Sequence, residues 1–374
     1  MSPRILFPLC LCYEPKDTVS SVSVLGAQET REVLANTTSR LWGFWIVIYL
    51  DCYLPALKLY LLGLRVLINQ LICRPFTLPE LALQHGKVAI VTGGTRGIGY
   101  ETSRHMASLG AHIIIAGQNE LKGVSAVKRI CEENREAKVE FDQLNLASLQ
   151  SVRQFVQNIK RRGLPLHILV NNAAVMLVPE GRTEEGFEHH FGVNYLGHFL
   201  LTLLLLDTLK HSGKRGSCSR VVTLSSSAHG AGEIRLDSLL NRQCHSSHAA
   251  YCQSKLALLL FSSHLQQRLE RGGFPLSSCA VDPGMVDTSL YCHRFPTARL
   301  AQTAIARLLF RSPSQGASTV FYTALSPSLE WEGGAYWSNG RTEMTSPNTY
   351  DPQLHRGIWD SSCRQVGLQE RHQP

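Results

Sequence analysis

From about residue 84 onward the chain alternates short apolar runs with longer amphipathic ones, and this alternation constrains the fold more than any other feature. The apolar runs are Lys87–Gly93, His112–Gly117, Lys138–Leu144, His167–Ala173, Arg220–Ser226, Ser277–Gly284 and Gly334–Gly340. Most are continuously apolar rather than alternating, as strands buried on both faces require. The segments LASLQSVRQFVQNIKR and SKLALLLFSSHLQQRLE lie between them with helical periodicity. The expectation is an α/β fold, a Rossmann-type doubly wound parallel sheet in a single domain over residues 83–365. Right-handed crossovers would gather the C-terminal strand ends, and any ligand, on one rim.

The composition allows a core without staples, with 44% hydrophobic and 18% charged residues in 374. The net charge is +8, from 37 basic and 29 acidic residues, but the basic residues are scattered in short clusters such as Lys160–Arg162. That pattern argues against nucleic acid as a partner. The cysteines number eleven, with no C-x-x-C pair, so reduced thiols are expected, and Cys252 reads as packing. No metal-ligand spacing occurs. The pair His189 and His190 reads as surface, and no metal site is expected.

The N-terminal end is different. Residues 1–40 are polar and patternless after a short apolar start, and read as a poorly ordered extension. Pro8 breaks that start and no small-residue cleavage site follows, so secretion is the lesser alternative, and the sequon at Asn36 matters only in that case. Residues 41–75 form a strongly apolar segment interrupted by Asp51, Pro55, Lys58 and Arg65. A charge at mid-membrane costs roughly 2.5–3.5 kcal/mol. Lys58 and Arg65 share one helical face and Tyr60, Leu64, Leu67 and Leu71 the opposite one, which suits a helix in the membrane interface. A helix packed on the domain is the other reading. The tryptophans, tyrosines and flanking Arg40 and Arg74 favour the membrane surface. Residues 366–374 form a polar tail.

The first apolar run passes into TGGTRGIG, Thr92 to Gly99, and then into a helical segment. Glycines there permit a tight turn and let backbone amides approach a pyrophosphate. Further along, Tyr251 and Lys255 stand four residues apart in a helical segment, so both side chains occupy one face. A free phenol has a pKa of about 10, and a neighbouring ammonium draws it towards neutrality.

Together with NNAA (Asn171–Ala174), VNYLGHF with Asn194, TLSSS with Ser226 and DPGMVDT (Asp282–Thr288), these motifs resemble the short-chain dehydrogenase/reductases over about Leu83 to Trp359. HFGVNYLGHFLLTLLLLDTLK and HAAYCQSKLALLLFSSHLQ are most similar to the branch acting on polyisoprenoid alcohols, and more distantly to the retinol dehydrogenase branch. The resemblance implies Tyr251 as the proton-exchanging group, Lys255 as its partner, Ser226 as donor to the substrate oxygen and Asn194 as holder of a water relay. It also implies cofactor contacts from Thr92, Gly93, Thr95, Arg96, Gly97, Ile98, Gly99, Gln118, Asn145, Asn172, Ala173, Tyr251, Lys255, Pro283, Gly284, Val286 and Thr288.

Gln118 stands where NAD-preferring members carry an acid, and Arg96 where some members clamp a 2′-phosphate, so NADP(H) is favoured over NAD(H). Three positions depart from the family pattern. Ala174 replaces a glycine, Asn145 an aspartate, and the interval from Ser226 to Tyr251 is long. Residues 291–311 fall where the family covers its substrate, and read either as a basic amphipathic helix meeting lipid or as a packed helix. The implied function is interconversion of a long apolar alcohol with its aldehyde or ketone, polyisoprenoids first, retinoids or steroids second, at the endoplasmic reticulum membrane or a lipid droplet. A homo-oligomer fits family habit. The rival class is a non-catalytic dinucleotide-binding scaffold.

Overall fold

The computed structural model describes residues 53–236, 246–288 and 309–368. The expectations for residues 1–40, for the first part of the 41–75 segment, for most of 291–311 and for most of the tail lie outside the described residues.

Strands β1 (Val88–Thr92), β2 (His112–Gly117), β3 (Val139–Gln143), β4 (Ile168–Asn171), β5 (Ser219–Leu224), β6 (Leu276–Asp282) and β7 (Tyr336–Ser338) form one sheet with a short β8 (Arg341–Thr342). Its order is β3-β2-β1-β4-β5-β6-β7-β8. All neighbours are parallel except β7 and β8. A strand falls on each expected run, β5 and β6 beginning one residue before it. The strands stop short of the polar ends of those runs, however, so Asn172, Ala173, Ser225, Ser226, Pro283 and Gly284 lie just beyond strand ends, on the ligand rim. β8 was not expected. It returns across Asn339 and Gly340, whose φ values of +48° and +75° make a two-residue hairpin turn.

Helices α2 (Gly97–Ser108), α3 (Glu120–Glu133) and α7 (Pro313–Leu325) cover one face, and α4 (Leu149–Arg161), α5 (Gly197–Ser212), α6 (Ser247–Gly272) and α8 (Pro352–Gln365) the other. Alternate residues of β1 serve the two sides: Ala89 and Val91 pack with Met106 and Ile130, whereas Val88 and Ile90 join Phe155, Phe199 and Trp359. Phe199, Phe261 and Trp359 lie 5.2–6.0 Å apart at their centroids and lock α5, α6 and α8 together.

Two helical stretches among the described residues are long and apolar enough to cross a membrane, and burial separates them. Phe191–Ser212 is 78% buried and is the domain's core helix; α1 (Leu54–Ile72) is only 6% buried. Pro55, which interrupts the apolar segment in the sequence, falls in the first turn of α1, where its missing N–H costs no hydrogen bond. Tyr60, Leu64 and Leu71 are exposed, as are Lys58 and Arg65, and Leu67 is half-buried. The inner side is packed. Leu59 joins Ala228, Tyr251 and Cys252, and Gln70 reaches the loop after β6.

Candidate active site

The chain enters the sheet at β1, fills β2 and β3 on one side, and then crosses to β4 on the other. The crevice at that reversal is where doubly wound sheets hold dinucleotides. Its floor is built from Thr92. The Thr92 hydroxyl accepts the N–H groups of Asn172 (2.9 Å) and Ala173 (3.0 Å) and lies 2.9 Å from His198 Nε2. His198 Nδ1 faces the Asn194 carbonyl at 2.7 Å and must carry the proton, so Nε2 accepts from Thr92. Burial holds the His198 pKa down at about 4, which keeps the ring neutral for this role.

The glycine loop fits a pyrophosphate. Gly97 has φ +56°, and a Cβ there would sit 3.1 Å from the Thr288 methyl; one at Gly99 would strike Asn172 at 2.4 Å. Thr288 therefore closes the loop from the opposite side. No side chain caps the N-terminus of α2 at Arg96, which leaves its first-turn amides facing the crevice. Thr95 and Ile98 are half-buried in the same turn, and Arg96 is exposed. At the end of β2, Gln118 is exposed and Asn119 caps α3 through Lys122 N–H, so no acidic side chain occupies the strand end. Asn145 Oδ1 accepts the Ala147 N–H at 3.0 Å, which fixes the amide while its nitrogen and a second oxygen lone pair stay open to a ligand.

The expected catalytic residues occupy three adjoining elements. A π-helical turn, Phe191–Leu196, carries Asn194. Its Oδ1 accepts the Val175 N–H (2.8 Å), while Nδ2 donates to Val175 O and to Ser254 Oγ, both at 3.0 Å. Ser226 follows β5, and its hydroxyl accepts the Ala228 N–H at 3.2 Å. Tyr251 and Lys255 lie one turn apart on α6, with Lys255 Nζ 5.8 Å from the Tyr251 ring centroid. Lys255 Nζ donates to Leu224 O at 2.9 Å. Burial pulls its pKa down to about 8, against an upward pull from Asp282. Cys252 is fully buried, as its helix position implied.

The third wall is the loop after β6. Asp282 accepts from Ser227 N–H (2.9 Å), Gly284 N–H (2.8 Å) and Tyr336 OH (3.0 Å). Gly284 takes φ +78°, and Met285 pairs with Gln70 of α1. Val286 is buried in a bridge to Arg311.

Several residues that shape this site escaped the sequence reading. His198, Ser254 and Asp282 sit inside recognised motifs but act through contacts that no local pattern encodes. Gln70 lies over 200 residues from its partner. His190, read as surface, is buried, with Nδ1 2.7 Å from Glu188 and its ring edge-on to Tyr251. His189 is half-buried. Among the described residues no cluster suited to a metal occurs, and Cys73, Cys131, Cys218 and Cys279 are free thiols.

A switch-point crevice, a glycine turn and a tyrosine–lysine pair on the adjoining helix define an oxidoreductase of the dinucleotide-dependent, doubly wound class. The chain belongs to the short-chain dehydrogenase family, whose pattern it matches over residues 87–297. It is 57% identical to polyprenol dehydrogenase of Danio rerio, across 85% of this chain and 98% of that protein. Its identity to polyprenol dehydrogenase of Homo sapiens is 49%, across 84% and 96%. Retinol dehydrogenase 13 of Mus musculus is 40% identical across 79% and 88%. Among solved structures, an uncharacterized protein from Mycobacterium paratuberculosis superposes with a TM-score of 0.64 at 32% identity, covering 79% of this chain and 99% of that one.

Proposed function

We propose that the protein interconverts a polyisoprenoid alcohol and its carbonyl form, with NADP(H) as the preferred cofactor, at a membrane surface. Near-full-length similarity to two polyprenol dehydrogenases carries the substrate reading. A nicotinamide dinucleotide in the crevice supplies or accepts hydride at the substrate carbon. The chain's own residues manage the oxygen and its proton. Ser226 Oγ, freed from the strand ladder at the end of β5, donates to the substrate oxygen and stabilises alkoxide charge. Tyr251 exchanges the proton with that oxygen. Lys255, held by Leu224 O, places an ammonium beside the phenol and favours the phenolate. Asn194, anchored through Val175 and Ser254, supports a water path from Lys255 to solvent.

Arg96, exposed at the turn, and the uncharged β2 end support the 2′-phosphate of NADP. The exposed apolar side of α1 supports lipid contact, with the endoplasmic reticulum membrane or a lipid droplet as the site. Retinol is the second substrate reading, because retinol dehydrogenases 11, 12 and 13 also align.

The deciding experiment is turnover of detergent-solubilised protein with NAD and NADP against polyprenol, retinol and a steroid alcohol, alongside Tyr251→Phe. Polyprenol oxidation abolished in Tyr251→Phe is the expected result. Retinol turned over faster than polyprenol would move the assignment to the second reading.

A further inference from the structure

A cavity of about 390 Å³ lies between the C-terminal half of α1 and the β7–β8 hairpin, behind the loop after β6. Neither Ser226 nor Tyr251 lines it. Three guanidinium groups do: Arg65 from α1, Arg311 from the strand-like segment against Val286, and Arg341 from β8.

Arg311 is the unusual member. It is only 8% exposed, its Nε is buried without a hydrogen-bond partner, and its side chain makes no ion pair among the described residues. Two carboxylates, Asp282 and Glu343, also line the cavity and attract Arg311, but each is engaged with other donors. Asp282 already accepts from Ser227, Gly284 and Tyr336, and Glu343 pairs with Arg341 at 3.4 Å. A guanidinium stays charged at any physiological pH, and a buried charge without a counter-ion is costly. Among the described residues, Arg311 therefore feels Asp282 and Glu343 only at a distance and has no carboxylate within ion-pair reach.

We propose that this cavity binds a phosphate-bearing anion, with Arg311 at its base and Arg65 and Arg341 at its mouth. Planar guanidinium groups suit phosphate oxygens in pairs, and Asn69 and Asn339 add neutral donors. The cavity lies on the β7–β8 side of the loop after β6, and neither the glycine loop nor Thr288 is part of its lining. The opposite wall is apolar, with Leu62, Val66 and Met344, so the occupant is amphiphilic: a phosphate head on a hydrocarbon body. α1 contributes Arg65 on the flank of its exposed apolar stripe, which places the mouth beside the surface offered to lipid. The headgroup of an anionic lipid fits this position, and free phosphate shares its chemistry. The site does not depend on which alcohol the enzyme oxidises.

The test uses the full chain in non-ionic detergent and in phosphatidylcholine vesicles. Thermal midpoints are measured with inorganic phosphate, with phosphatidate, and with neither, for the wild type, Arg311→Met, Arg341→Gln and the control Lys58→Gln, which lies outside the cavity. In the wild type and in Lys58→Gln, phosphatidate is expected to raise the midpoint saturably. In Arg311→Met and Arg341→Gln, affinity falls roughly tenfold or more. Arg341 is exposed, so its variant reports binding even if Arg311→Met folds poorly. In phosphate-free buffer, Arg311→Met should be as stable as the wild type or more so, because an unpaired buried charge has gone. Stabilisation by inorganic phosphate with the same variant pattern would assign a soluble phosphate to the same site. Equal responses from all four proteins, or a loss in Lys58→Gln as large as in Arg341→Gln, would mean diffuse surface attraction and overturn the proposal.

Discussion

Gln70 and Met285, 215 positions apart, exchange two hydrogen bonds: the Gln70 Oε1 accepts the Met285 N–H at 2.6 Å, and the Gln70 Nε2 donates to the Met285 carbonyl at 3.2 Å. The side-chain amide thus pairs with a backbone amide as a neighbouring strand would. Two further bonds, from Phe76 N–H to Asn339 Oδ1 (2.9 Å) and from Asn339 Nδ2 to Arg74 O (3.1 Å), tie the segment after α1 to the β7–β8 turn. The most apolar exposed helix is thereby fastened to the loop expected to touch cofactor. Lipid contact on the outer side of α1 and loop position on its inner side become one mechanical unit.

Gln70→Leu should separate the two. It leaves the Met285 N–H without its acceptor, at a cost of about 1–3 kcal/mol. The expected outcome is a several-fold rise in KM for cofactor with a smaller change in kcat, and an intact circular dichroism spectrum. Gln70→Glu, which keeps the acceptor, should fall between. Unchanged cofactor KM in Gln70→Leu would show that the loop holds its position without α1.

Lys255 gives a pH signature. Its folded pKa, about 8, lies below the ordinary 10.5 because burial disfavours the ammonium. Between these values the unfolded chain binds more protons, so stability rises with pH across that window. Below pH 8 both states are charged and the folded state carries the full desolvation cost, on the order of 3 kcal/mol. Lys255→Met lacks this titration. The difference in thermal midpoint, wild type minus variant, should therefore climb from pH 7.5 to pH 10. A flat difference would mean that Lys255 keeps an ordinary pKa.

Cofactor preference should follow two exposed residues. Removing the guanidinium in Arg96→Ala is expected to raise KM for NADP by about tenfold, the worth of one charge-assisted contact, with little change for NAD. Gln118→Asp should add the opposite bias, supplying an acceptor for ribose hydroxyls while repelling a 2′-phosphate. Steady-state kinetics with both cofactors decide it. An Arg96→Ala enzyme that loses NAD and NADP equally would place this arginine on a part common to both.

Strands β1, β2 and β4 were legible because strands buried on both faces are apolar throughout; β3, VEFDQ, is only half-buried and was legible from its place in the alternation with helices. Tyr251 and Lys255 were legible because helical spacing fixes their shared face. β8 was missed although Asn339-Gly340 is a hairpin signal: its two residues, Arg341 and Thr342, carry no apolar pattern. His190 was misplaced because its burial depends on the Glu188 carboxylate beside it and on Tyr251 from a distant helix. Gln70 could not have been found at all, since a polar residue in an apolar helix reads the same whether it meets solvent or a loop 215 residues away.

The outer side of α1 carries the membrane reading, and it can be tested without touching the site. Leu61 and Ile68, 57% and 48% exposed, lie two turns apart and point away from the domain. Transferring each from water to lipid contributes about 1 kcal/mol at that exposure. Leu61→Ser with Ile68→Ser should therefore weaken flotation with phosphatidylcholine vesicles by roughly thirtyfold. Turnover of a short, water-soluble alcohol should stay unchanged, because neither side chain contacts the crevice. Turnover of a long polyisoprenoid presented in vesicles should fall with the flotation. If the double variant floats as well as the wild type, lipid contact belongs to a part of the chain other than α1.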